Sequence, residues 1–290
     1  MRPSQSDAAP GMVSVKIDRI DGSSRLQTED RLAIEEPMEI RLVYWVGETQ
    51  RENSVSITMR TPGNDFELAA GFLYGEGMVS QSDHIVSISH SGPPTGDLNL
   101  HNVVQVELSS KMTIDLQRLV RHFYTTSSCG VCGKSSLAAL HMNKPSAKIP
   151  EVQIDVALLH TLPDKLRSAQ SIFEGTGGLH GAALFDKSGM LLSLREDVGR
   201  HNAVDKLFGT ELIANRLPLS EGRILLLSGR ASFELIQKAS LAGVTVVAAI
   251  GAPSSLAVEL AQESGMTLVG FLRNGRCNIY CGKQRLIGEA

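Results

Sequence analysis

Two cysteines three positions apart, Cys129 and Cys132, stand in the run Ser127-Ser128-Cys129-Gly130-Val131-Cys132-Gly133-Lys134. At this spacing the two thiols can meet over one tight turn. Such a pair can hold a metal, cycle through a disulfide or carry a sulfur atom. The flanking glycines favour a loop and let a partner's sulfur approach without a clashing side chain. The thiolate is the reactive form, and a nearby cation or helix start favours it. Lys134 is such a cation, and residues 135–142 can start a helix. The bland alternative is two buried small hydrophobes.

Four other places combine polar chemistry with turn residues. Gly175-Thr176-Gly177-Gly178-Leu179-His180-Gly181 can cradle phosphate through backbone N–H groups, yet it matches neither a P-loop nor G-x-G-x-x-G. A plain glycine turn explains it equally well. In Arg195-Glu196-Asp197-Val198-Gly199-Arg200-His201-Asn202-Ala203-Val204-Asp205-Lys206, seven of twelve residues are charged or histidine. This is either a solvated helix face or a loop and helix start lining a polar pocket. In the second case Arg200 and His201 would suit an anion. Phe271-Leu272-Arg273-Asn274-Gly275-Arg276 places two arginines about a turn, suited to phosphate or a purine edge. Cys277 and Cys281 follow in C-x-x-x-C spacing, whereas structural zinc sites repeat the tighter C-x-x-C knuckle.

The elements that must position these residues fall into two rhythms. The first third is mixed and strand-rich, with strands expected at 13–20, 40–46, 55–59, 85–88 and 103–108. A helix is expected at 66–74, opened by Pro62-Gly63 and an Asn64/Glu67 capping box. The last third alternates short apolar strands (224–227, 244–250, 267–272) with helices (233–241, 255–262). That pattern belongs to a parallel sheet buried on both faces. Ligands bind beyond the carboxyl ends of such strands. Residues 228–232, 251–255 and 272–276 therefore converge on one cleft.

Composition limits the function classes. The 290 residues carry a formal net charge of −3, with 42% hydrophobic and 20% charged residues. This is ordinary for a soluble globular protein and argues against a nucleic-acid or membrane-surface binder. No apolar run approaches the roughly 20 residues that cross a bilayer. Residues 1–11 are polar and lack the layout of a secretory signal. Four cysteines are too few for a disulfide scaffold, so a cytoplasmic location is expected.

Taken together, these runs resemble the formate dehydrogenase accessory sulfurtransferase family, FdhD. The resemblance extends from about residue 31 to 286 and is carried by 62–78 (with Phe72-Leu73-Tyr74-Gly75-Glu76-Gly77), 128–133, 196–206, 228–232 and 271–276. It implies a protein that takes sulfane sulfur from a cysteine desulfurase as a persulfide. It passes that sulfur to the bis-molybdopterin guanine dinucleotide cofactor before the cofactor enters the formate dehydrogenase catalytic subunit. The family's persulfide cysteine corresponds to Cys129, and Cys132 to the second motif cysteine. The cofactor-binding segment corresponds to Phe271, Leu272, Arg273, Asn274, Gly275 and Arg276. The resemblance also implies an α/β fold, a cytidine-deaminase-like three-layer domain with a smaller N-terminal α+β subdomain, usually as a homodimer. The expected division is 1–25 as lead-in and first strand, 26–125 as the subdomain and 126–290 as the α/β domain. No tightly bound metal is expected. Deaminase activity itself is excluded from the residues: none of the eight histidines has glutamate two positions on, and no proline precedes Cys129. A zinc-binding or thiol-disulfide redox module using Cys129 and Cys132 is the alternative.

Overall fold

The computed structural model describes residues 11–96, 98–112, 151–273 and 275–288. It opens with a long hairpin, β1 (Met12–Asp21) and β2 (Ser24–Ala33), paired end to end. A four-stranded sheet follows, built from β3 (Glu36–Val46), β4 (Thr49–Arg60), β5 (Ile85–His90) and β6 (Val103–Leu108) in the order β4-β3-β6-β5. Between β4 and β5 runs helix α1 (Asp65–Gly75).

Next come β7 (Ile154–Asp155), α2 (Val156–Ala169) and the short α3 (Ser171–Thr176). β8 (His180–Phe185) and β9 (Leu191–Asp197) form a hairpin, followed by α4 (Arg200–Ile213). Then β10 (Ile224–Leu227), α5 (Phe233–Leu241), β11 (Val246–Ala249), α6 (Ser255–Glu263) and β12 (Thr267–Arg273) alternate as expected. β13 (Arg276–Cys281) and β14 (Leu286–Ile287) close the chain, β14 pairing with β7. The main sheet has six strands in the order β13-β12-β11-β10-β8-β9. β10, β11 and β12 are parallel, as their unbroken apolar runs require, while β8, β9 and β13 add antiparallel edges. The architecture is therefore mixed α/β.

Side-chain alternation sorts the main sheet into two cores. Ala183, Phe185, Ile224, Leu226, Val246, Ala248 and Val269 point to one face, where Leu159, Leu162 and Leu166 of α2 cover them. Leu184, Leu225, Val247 and Leu268 point to the other face, toward α4, α5 and α6. That second core continues through α1 to Ile40, Leu42, Val104 and Val106 of the four-stranded sheet. α1 and α4 cross at two glycines: a Cβ on Gly71 would lie 1.8 Å from the Asp205 carbonyl oxygen, and one on Gly209 would lie 1.8 Å from that of Glu67. The backbones touch there because neither residue has a side chain.

The expected capping box at the start of α1 is not formed. Asn64 adopts a left-handed conformation (φ 56°), and its side-chain Nδ2 donates to Glu67 Oε1 at 3.0 Å. Its carbonyl nevertheless accepts the first helical bond from Leu68 N at 2.9 Å. The Pro62-Gly63 turn sets this entry, because Gly63 (φ 102°) and Asn64 in sequence reverse the chain.

Candidate functional site

A cavity of about 700 Å3 opens beyond the carboxyl ends of the parallel strands. Ser228 follows β10, Ile250 follows β11, and Leu272 and Arg273 end β12; all four line it. The convergence expected of 228–232, 251–255 and 272–276 is thus met by Ser228, Leu272 and Arg273, whereas β11 contributes Ile250, just before the expected loop, and none of residues 251–255 lines the cavity. His180, Leu179, Gly178 and Gly177 line it from the approach to β8. The remaining wall comes from α2 and α3, through Pro163, Asp164, Leu166, Arg167, Gln170 and Phe173.

Small residues let the strand ends close together. A Cβ on Gly251 would lie 3.0 Å from the carbonyl of Gly229, and Gly251 N donates to Gly229 O at 2.9 Å. Ser228 exchanges bonds with β8: its N donates to Gly181 O at 3.0 Å, and its Oγ accepts from Gly181 N at 2.8 Å. β12 is irregular at its end. Phe271 has φ 53°, a left-handed conformation that is costly for a bulky side chain, and the register with β13 shifts between Gly270 and Arg273. The bulge sends Leu272 inward, fully buried, and leaves Arg273 exposed at the cavity.

The arginine turn is a hairpin. Arg273 pairs directly with Arg276 across it, and Gly275 (φ 69°) supplies the left-handed residue a tight reversal needs. Both arginines are exposed, and neither forms an ion pair among the described residues. Two like charges in register cost stability. Of the expected cofactor segment, Leu272 and Arg273 line the cavity, Phe271 provides the bend, and Gly275 and Arg276 lie just beyond. Asn274 is outside the described residues, as are Cys129, Cys132, Lys134 and the helix expected at 135–142.

The glycine run 175–181 reaches the cavity but does not offer its first amides to a ligand. Gly177 N donates to Phe173 O at 2.6 Å, and Gly178 N donates to Thr176 Oγ1 at 3.3 Å. Gly177 (φ 66°) ends α3, and Gly181 makes room for the Gln170 side chain. The chemical contribution of the run is His180. Burial, and then the nearby positive charge of Arg200, lower its pKa below the ordinary histidine value, so at neutral pH it faces the cavity as an uncharged imidazole.

The charged run 195–206 divides. Asp197 and Lys206 are fully buried and paired at 2.7 Å. Asp197 also accepts from Thr61 N (3.1 Å), Gly199 N (2.8 Å) and Asn202 Nδ2 (3.1 Å). Lys206 Nζ donates to Thr61 O at 2.7 Å, and Asn202 Nδ2 to Met59 O at 2.7 Å. These groups fasten β9 and α4 to the end of β4; they are not among the residues lining the cavity. Glu196 accepts from Ile172 N (3.1 Å) and Phe173 N (2.9 Å), and so holds α3. His201 Nε2 lies 3.3 Å from Ser232 Oγ and 3.7 Å from Glu234, whose pKa it pulls down to about 2. His201 is therefore occupied at the start of α5 and not presented to a ligand.

Cys277 and Cys281 are free thiols on β13, and burial raises the pKa of both. The Cys281 thiol donates to Met266 O at 3.4 Å. Among the described residues no group of three or more His, Cys, Asp or Glu is arranged to hold a metal. No helix among them is long and apolar enough to cross a membrane.

The wall from α2 and α3 was not expected from sequence. Its signal was present: Asp155 caps Ala157 N at 2.8 Å, and Val156, Leu159, Leu162 and Leu166 recur at helical spacing. Pro163 in the middle of that pattern masked it.

Comparison with known proteins places this geometry. The model of the FdhD/NarQ family matches residues 34–287. A Streptomyces avermitilis protein named sulfur carrier protein FdhD is 50% identical over 274 residues, covering 93% of this chain and 94% of that one. Its namesake from Mycobacterium tuberculosis is 44% identical over 279 residues, covering 93% and 97%. Another from Sulfolobus acidocaldarius is 40% identical over 272 residues, covering 94% and 97%. A crystal structure from Desulfotalea psychrophila, described as that of a candidate formate dehydrogenase accessory protein, superposes with a TM-score of 0.72. It is 23% identical, and the match covers 96% of this chain and all of that one, a likeness of fold. The chain belongs to the FdhD/NarQ family.

Proposed function

We propose that this protein is a sulfur carrier serving formate dehydrogenase. Cys129 is its persulfide-bearing residue and Cys132 its second motif cysteine. In the loading step the Cys129 thiolate attacks the outer sulfur of a persulfide on a cysteine desulfurase. A new S–S bond forms on Cys129, and the donor cysteine leaves as its thiolate. The sulfur then passes to bis-molybdopterin guanine dinucleotide, the substrate of the second step, before that cofactor enters the catalytic subunit. The observation that carries this reading is family membership across most of the chain, with relatives named as sulfur carriers.

The cavity fits the acceptor's nucleotide end. Its volume lies in the range that holds a nucleotide-sized ligand. Arg273 and Arg167 supply positive charge for phosphate. Phe271, Leu272, Asn274, Gly275 and Arg276 complete the segment assigned to the cofactor. A homodimer in the cytoplasm belongs to the same reading. So does a cytidine-deaminase-like C-terminal unit, supported by three parallel strands with helices on both faces.

The test is direct. After incubation with a cysteine desulfurase and cysteine, the intact mass should rise by one sulfur atom, and Cys129→Ala should abolish the gain. Stoichiometric zinc that survives dialysis, with no sulfur adduct, would replace the carrier by the zinc-binding alternative.

A further inference from the structure

The cavity has two chemically unlike walls. On the strand side stand Arg273, Ser228, Ile250, Leu272 and the uncharged His180. On the helix side stand Asp164, Arg167 and Phe173. The Arg167 guanidinium carbon sits over the Phe173 ring, 4.8 Å from its centroid. A cation on an aromatic face is a preorganised planar shelf. Its position is fixed from below: the Glu196 carboxylate holds the N–H groups of Ile172 and Phe173, and Gln170 Nε2 donates to the same carboxylate at 3.4 Å.

The polar groups of this wall can be sorted by what remains free. Gln170 and Glu196 are spent on one another and on α3. Arg167 is exposed but stacked. Asp164, one helical turn before Arg167, is exposed and is the only carboxylate among the residues lining the cavity. It makes no ion pair among the described residues. A free carboxylate on the same helix as a guanidinium held over an aromatic ring suits a planar ligand with two adjacent N–H donors on one edge. Guanine has that edge in N1–H and the exocyclic amine. Adenine presents one donor beside an acceptor nitrogen, which a carboxylate repels.

We propose that Asp164 reads the base of the bound nucleotide: its carboxylate accepts from N1–H and the exocyclic amine of a guanine resting against Arg167, while Arg273 takes the phosphates. This rests on the nucleotide reading of the cavity given above. It adds the residue that makes the site select guanine over adenine.

GDP, ADP and xanthosine diphosphate are suitable probes for calorimetry with the full-length protein. The native protein should bind GDP at least about tenfold more tightly than ADP. Asp164→Asn should lose roughly 10–100-fold in GDP affinity and gain for xanthosine diphosphate, because a carboxamide matches that base's donor–acceptor edge. Asp164 is exposed, so the melting temperature should not change. An Asp164→Asn protein with the native ratio of GDP to xanthosine diphosphate affinity overturns the assignment. So does a native protein that binds GDP and ADP equally. If no guanine nucleotide binds the native protein, the nucleotide reading of the cavity falls with it, while sulfur loading on Cys129 stands on its own measurement.

Discussion

The charged run at β9 and α4 and the arginine hairpin at β12 and β13 look alike in composition but do opposite things. In the first, Asp197 and Lys206 are fully buried, and the Asp197 carboxylate has four partners: Thr61 N, Gly199 N, Asn202 Nδ2 and Lys206 Nζ. In the second, Arg273 and Arg276 are exposed, face each other in register and have no ion-pair partner among the described residues. A charge whose bonding capacity is filled from its own chain has nothing left for a ligand, and its value is structural. A pair of like charges held together at a cavity mouth weakens the fold slightly and gains its use from an anion.

The sharpest way to break this contrast is Lys206→Met. Removing one partner of a buried, hydrogen-bonded pair leaves Asp197 uncompensated and should cost about 3–5 kcal/mol in urea unfolding. Nucleotide affinity of the folded fraction should stay native. A variant of native stability that no longer binds nucleotide would move the run into the site.

The converse change is Arg273→Ala with Arg276→Ala. Guanine-nucleotide affinity should fall roughly 10–100-fold, the worth of charge-assisted hydrogen bonds. Adenine-nucleotide affinity should fall in parallel, and stability should stay within about 0.5 kcal/mol of native. Sulfur loading on Cys129 should persist. Unchanged nucleotide affinity removes both arginines from the site.

The smallest effect concerns His180, which sits between the two regions, facing the cavity yet within the field of Arg200. Its folded pKa lies below the ordinary value of about 6.5, so as pH falls the unfolded chain takes up this proton first. The stability that the neutral ring contributes is present above about pH 6.5 and is lost as pH drops toward the folded value. Urea midpoints measured from pH 7.5 to 5.5 should therefore fall less steeply for His180→Gln than for the native protein. Identical slopes would mean that His180 is not held neutral by its surroundings.

Much of this arrangement is legible in the residues. The runs Ile224–Leu227 and Thr267–Arg273 read as buried parallel strands because nothing polar interrupts their cores until the end. The rule that ligands sit beyond such ends then located Ser228 and Arg273. The helix side of the cavity was not legible, because Pro163 interrupts the pattern of α2 and α3 is too short for periodicity to register. The Gly175–Gly181 run was ambiguous for another reason: whether an amide is free depends on what its own turn does with it, as Gly177 and Gly178 show.

The residues alone were enough for the alternating strands and helices from β10 to β12 and their parallel order, for the C-x-x-C with its candidate sulfur chemistry and for the arginine turn. These are consequences of periodicity, turn chemistry and local spacing. Only the tertiary structure decided which charges are fasteners and which are tools. Lys206 is silenced by a carbonyl 145 residues away, and Arg167 is aimed by a helix that Glu196 holds from another strand. Burial and hydrogen-bond satisfaction depend on distant chain segments meeting, and local sequence carries no record of that meeting.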